Sequence, residues 1–197
     1  MVDGATPDSS GVVDAPVVDC VTTTTQLLMN GAFDATPKGT GWTETPIDPQ
    51  FPLVTDLEGI VEQSAPFKAW LGGLSEANAL DQLFQDVAIP AETSSIQVTG
   101  VYDVRSAEAA GAGVKDTGLL VLAELGGTVV DTVLALDNTQ ARPSGSPPWI
   151  ALDKTITMAG LGGRSLRFKL SSANDAAANT QTSFYFDGLA VTATHCQ

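Results

Sequence analysis

The sequence predicts an all-β protein of the sandwich class. Three observations lead there: runs of two-residue periodicity, turn residues recurring between them, and no sustained 3.6-residue repeat. The first run, Thr22 to Met29, is Thr-rich and then apolar, and Asn30-Gly31 stops it. Ala69-Trp70-Leu71 stands before Gly72-Gly73, and Leu83 to Ile89 ends at Pro90. Ser95 to Val104 places Ile96, Val98, Tyr102 and Val104 on one parity, as a strand with one buried face requires. Leu119 to Leu125 breaks at Gly126-Gly127 and Thr128 to Leu136 follows at once, which reads as a hairpin. Trp149 to Met158, Leu166 to Leu170 and Ser183 to Asp187 complete nine to eleven strands. Leu74 to Leu80 is a possible short helix. Ala107 to Val114 and Ala173 to Gln181 read as loops of small residues. Residues 36–66, with Pro37, Pro46, Pro49, Pro52 and Pro66, form the longest irregular stretch.

The 197 residues suit one domain with a tail. Hydrophobic residues make up 43% of the chain, enough for a core, while 23 acidic side chains face 9 basic ones. With a net charge of −14 and no basic cluster, nucleic acid is excluded as a partner and an anionic membrane surface is disfavoured. No apolar run approaches the roughly 18 residues of a membrane helix, so membrane insertion is not expected. Residues 1–19 hold Asp3, Asp8, Asp14 and Asp19 but no Lys or Arg, and read as a disordered acidic spacer ahead of a single domain at 20–197. In composition the spacer resembles the segment after the lipid-anchor cysteine of bacterial surface lipoproteins, which leaves a lipid tether open. Met1-Val2-Asp3-Gly4 has neither the basic start nor the apolar core of a signal peptide, so the start reads as a processing or cloning boundary.

Cys20 and Cys196 bracket the β-rich region. Both stand in polar, end-like surroundings, which favours a disulfide, an oxidising compartment and a first strand lying beside the last. The other reading is two unrelated buried thiols.

The segment Leu28-Met29-Asn30-Gly31-Ala32-Phe33-Asp34, followed by Gly41-Trp42-Thr43, resembles the opening of bacterial jelly-roll carbohydrate-binding modules. Ala69 to Gly73 and Leu83 to Pro90 resemble accessory jelly-roll domains of secreted bacterial hydrolases. Thr182 to Val191, with Phe184-Tyr185-Phe186-Asp187-Gly188, is similar to the closing strand of the same galactose-binding-domain-like superfamily. The resemblance implies a jelly-roll β-sandwich of two antiparallel sheets with the first and last strands adjacent. It also implies a structural calcium where opening and closing motifs meet, with Asp34 and Asp187 as ligands and carbonyls of the Gly31 turn completing an oxygen shell. Two departures stand out: the opening acid is the shorter Asp, and Gly188 replaces a second acid.

No catalytic constellation emerges. His195, the single histidine, is expected exposed at the terminus, leaving a triad without its base. Zinc lacks clustered His and Cys ligands. A paired-carboxylate hydrolase is the weakest of three readings, since none of the acids sits in a hydrolytic motif. The leading reading is a noncatalytic, exported or cell-surface module that binds a glycan. Sugar rings stack on exposed aromatic faces, and Trp42, Trp149 and Phe51 are the candidates, with Trp70 assigned to the core. The alternative is a structural or adhesive protein whose partner is another surface protein.

Overall fold

The computed structural model describes residues 20–175 and 180–197. The expected acidic spacer at 1–19 lies outside them. Among the described residues are eleven strands: β1 Thr22–Gln26, β2 Thr43–Thr45, β3 Val54–Thr55, β4 Lys68–Gly72, β5 Leu80–Ala88 and β6 Thr93–Ser106. They continue as β7 Thr117–Glu124, β8 Val129–Asp137, β9 Ile150–Ile156, β10 Ser165–Ala173 and β11 Thr182–Cys196. One sheet runs β3-β4-β11-β6-β9, with β1 also on β11; the other runs β2-β5-β10-β7-β8. All pairings are antiparallel, and the two sheets form the jelly-roll sandwich.

Alternation decides what each strand buries. In β10, Leu166, Phe168 and Leu170 enter the core while Arg167 and Lys169 between them face out. In β11, Phe184 and Phe186 enter it and Tyr185 takes the opposite face. Each such ring or Leu taken from water is worth about 1.5–3 kcal/mol. The sheets meet closely where Gly118 of β7 faces Phe184: a Cβ on Gly118 would lie 2.6 Å from that ring.

The hairpin at Gly126-Gly127 joins β7 to β8. Cys20 is bonded to Cys196, and β1 pairs with the end of β11 from Thr22↔Cys196 to Gln26↔Thr192. The first and last strands are therefore adjacent.

Three expectations are corrected. Leu74 to Leu80 is not a helix; it is a turn that ends as Leu80 enters β5, because Asp81 and Leu83 already follow a two-residue period. The stretch 36–66 is not wholly irregular, since β2 and β3 lie inside it. Glu44 on β2 accepts from the backbone N–H groups of Leu53 (2.9 Å) and Val54 (3.3 Å), tying the two short strands together. His195 is not exposed: it is buried in the β1–β11 pairing, with Nε2 3.0 Å from Thr25 Oγ1 and 3.3 Å from Thr23 Oγ1.

Candidate functional site

The outer face of the first sheet carries the aromatic and polar groups of interest. Trp70 on β4 is opposite Tyr185 on β11, which is opposite Asp103 on β6, so all three share one face. Ala69 and Leu71 are fully buried in the core, and alternation then turns Trp70 outward. The Trp70 and Tyr185 rings are 5.2 Å apart and tilted by 38°. The Trp70 indole N–H is buried without an acceptor, against the backbone of Gly73.

The segment 56–66 crosses this face. Gly59 lies over the Tyr185 hydroxyl: a Cβ there would come within 2.7 Å of it. Burial raises the Tyr185 phenol above its ordinary pKa. Lys68, wholly buried, anchors the segment by donating from Nζ to Glu62 (2.8 Å) and to the Leu57 carbonyl (2.8 Å). Two hollows flank the crossing. One, of about 80 Å³, is lined by Phe51, Leu57, Trp70 and Asp81 among others. The other, of about 470 Å³, is lined by Val61, Arg105, Arg142, Pro148 and Tyr185 among others.

Asp103 lies beneath the larger hollow and holds two of the cations that line it, Arg105 and Arg142. It is fully buried, and its Oδ2 accepts from Arg105 Nε at 2.7 Å. Its Oδ1 is 3.5 Å from Arg142 Nη1, a charge contact too poorly aligned to be a hydrogen bond. One buried carboxylate is thus paired with two guanidinium groups. Trp149 stands at the start of β9 with φ 74°, half-buried, its indole N–H donating to the Val61 carbonyl at 3.0 Å.

The aromatic candidates divide accordingly. Phe51, 51% exposed, lines the smaller hollow; Trp149 lines neither, but follows Pro148 and bonds Val61, which line the larger. Trp42 is not a platform: it is buried, packs on Phe33 at 5.1 Å between ring centroids, and donates its indole N–H to the Asn30 carbonyl. Trp70, assigned to the core, takes the place on the open face. Its position between Ala69 and Leu71 was the signal, since a period of two puts neighbours on opposite faces.

Asp34 and Asp187 do come together, but around Ser64. The Ser64 hydroxyl donates to Asp34 Oδ2 at 2.9 Å and lies 3.4 Å from Asp187 Oδ1. Asp187 Oδ2 accepts from the N–H groups of Gln63 and Ser64, and Oδ1 from that of Gly188. The Gly31 carbonyl accepts from Leu189 N–H at 2.9 Å. Burial raises the Asp187 pKa, with the Asp34 charge adding to it. Calcium needs six to eight oxygens; here Ser64 and backbone N–H groups already bond these carboxylates, and Asp34 Oδ1 is buried without a donor. Seating the ion the resemblance implies there would mean displacing the Ser64 hydroxyl.

A different acidic group was missed. Glu108, Asp116 and Asp175 each bring a carboxylate oxygen to within 4.8 Å of the others. They are 67 residues apart at the extremes and in no shared motif, so only the loop packing unites them.

No protein-family model matches the chain, and no curated protein matches it. Solved structures do. The Stig cyclase Fisc from Fischerella sp. TAU, in complex with (3Z)-3-(1-methyl-2-pyrrolidinylidene)-3H-indole, is 11% identical over 89% of this chain and 100% of its own, with a TM-score of 0.50. TmCBM61 in complex with beta-1,4-galactotriose is 12% identical over 85% and 97%, with a TM-score of 0.44. A CBM4 module is 12% identical over 79% and 96%, also at 0.44. At 11% identity the likeness to the cyclase is one of fold alone.

Proposed function

We propose that the protein is a noncatalytic, exported module that binds a carbohydrate on the outer face of the β3-β4-β11-β6-β9 sheet. The observation that carries this is the hollow of about 470 Å³ in which Arg105 and Arg142, both paired with buried Asp103, line the wall beside Tyr185. The Arg142 side chain is 24% exposed, and guanidinium N–H groups donate to sugar hydroxyls. Phe51 supplies a ring face in the neighbouring hollow and Trp149 one next to Pro148 and Val61, beside the polar groups of the larger. Export is supported by the disulfide, which persists in oxidising compartments. The noncatalytic part rests on the single histidine being held between two threonines at the β1–β11 pairing, where it faces neither hollow's lining.

The test is a glycan array followed by affinity electrophoresis. The wild type is retained by at least one glycan; Arg142→Ala and Trp149→Ala each weaken retention tenfold or more, about 1.4 kcal/mol. Asp131→Ala, on β8 of the other sheet, leaves it unchanged. Retention by no glycan, or equal retention by all variants, sinks the proposal. A second reading, a surface-protein partner, is favoured by the apolar exposure of Ile47, Phe51, Leu57 and Val61 along the segment that borders the same face. Glycan silence combined with Val61→Asp disrupting a cross-linked complex would support it.

A further inference from the structure

We propose that Glu108, Asp116 and Asp175 form a calcium site that joins the β6–β7 loop to the β10–β11 loop. The group is more than a cluster of surface acids. Asp116 is 1% exposed; its Oδ1 accepts from the Asp175 N–H at 3.0 Å, while its Oδ2 is buried with no donor. Glu108 Oε1 is buried and likewise without a donor. A buried carboxylate oxygen lacking a donor is costly unless a cation meets it. Thr180 Oγ1 and Gln181 Oε1, on the approach to β11, are two more buried oxygens with no partner. The Gln181 carbonyl accepts from Ala107 N–H at 3.0 Å, which brings that approach beside the start of the loop bearing Glu108.

The donor set names the ion. Every available group is an oxygen, which selects a hard cation and excludes metals that need His or thiolate. Oxygens sharing one calcium at 2.3–2.6 Å lie no more than about 5 Å apart, and the three carboxylates meet that limit. Magnesium holds its ligands at about 2.0–2.1 Å in strict octahedral order, a tighter demand than two loops readily meet. Charge agrees: three carboxylates with Lys115 Nζ 3.8 Å from Asp175 Oδ2 leave a net of about two negative charges, which one divalent ion neutralises.

The site is built on a fixed support. Asn138, buried at the end of β8, accepts from the N–H groups of Lys115 (2.7 Å) and Asp116 (3.2 Å) and donates to the Gly113 carbonyl (2.8 Å). Asp116 is therefore held in place before any ion arrives. Glu108 also lines a hollow of about 600 Å³ that shares Ser106, Arg142 and Ser144 with the larger hollow of the ligand face. Binding calcium would order the loop that leaves β6 just after Arg105.

The experiment is calorimetric titration of calcium chloride into chelator-treated, intact-disulfide protein, with melting temperature read in parallel. One equivalent of calcium binds the wild type and raises its melting temperature, while magnesium at equal concentration does so at least tenfold more weakly. Glu108→Gln and Asp116→Asn each weaken calcium binding tenfold or more, and Asp34→Asn leaves it unchanged. Glu108 is on a loop, so its variant keeps the test meaningful if Asp116→Asn misfolds. No calcium binding by the wild type, or binding that survives Glu108→Gln, overturns the proposal. Loss in Asp34→Asn with retention in Glu108→Gln overturns it as well and returns the ion to the opening turn. The result stands apart from the sugar reading, since it needs no glycan.

Discussion

Lys68 carries its charge to a place without solvent, and the two ends of its ion pair are not equivalent. Lys68 is wholly buried, whereas the Glu62 side chain is 21% exposed. Removing Glu62 strands a buried ammonium on one carbonyl; removing Lys68 leaves a carboxylate that water can reach. Glu62→Ala is therefore predicted to cost about 3 kcal/mol and Lys68→Met distinctly less, both read from urea unfolding midpoints. Asp81 makes the other residue-scale prediction. It is 3% exposed, accepts from the Gly72 N–H at 2.7 Å, and burial raises its pKa above 3.8. A raised carboxyl keeps its proton in the folded state after the unfolded chain has lost it. Stability from this group is present below about pH 4 and falls as pH rises through the raised value. Asp81→Asn removes that loss, so calorimetric melting temperatures of variant and wild type should diverge in the variant's favour as pH climbs from about 4. Neither group was legible in the sequence. Lys68 and Asp81 stand in runs where a charged residue ordinarily faces water, and the partners that bury them come from other segments.

At the scale of elements, the opening motif acts through backbone contact. Asn30 spans its turn, donating from Nδ2 to the Thr40 carbonyl and accepting at Oδ1 from Ala35 N–H. Gly31 presses on β11 where the strand bulges after Asp187: a Cβ at Gly31 would lie 1.8 Å from the Leu189 carbonyl oxygen. No side chain fits there without moving β11, the strand that pairs with β1, β4 and β6. Gly31→Ala is predicted to destabilise by more than an ordinary surface change, about 2–4 kcal/mol, or to prevent folding. Thermal melts of purified variant would show a drop of many degrees; an unchanged melt would mean that the opening turn is not docked on β11. The motif's residues were legible as a turn before a domain. What the glycine is for was not, because Leu189 is 158 positions away.

At the scale of the whole molecule, one covalent bond closes a loop of 176 residues around both sheets. In the chain-entropy picture such a closure removes about 5 kcal/mol of unfolded-state freedom, as an upper value. Cys20→Ser with Cys196→Ser, or reduction of the native chain, should lower the guanidinium unfolding free energy by up to about that amount. The β1–β11 pairing would persist, because five register pairs hold it without the sulfurs. Loss of far-UV strand signal on reduction at 25 °C would contradict this.

The sequence by itself determined the class of fold; it favoured a disulfide and adjacent first and last strands, and the structure decided both. The class is written in local period and turn residues, which alternation carries without knowledge of distant partners. The faces were decided only by tertiary structure. Trp42 packs on Phe33, Gly59 of a distant segment covers Tyr185, and His195 is buried between threonines where β1 pairs with β11. The same holds for the acids. Asp34 and Asp187 meet a serine and backbone N–H groups, while Glu108, Asp116 and Asp175 meet one another across two loops. Whether a carboxylate faces a donor or another acceptor depends on neighbours brought from far along the chain, and that fixes its chemistry.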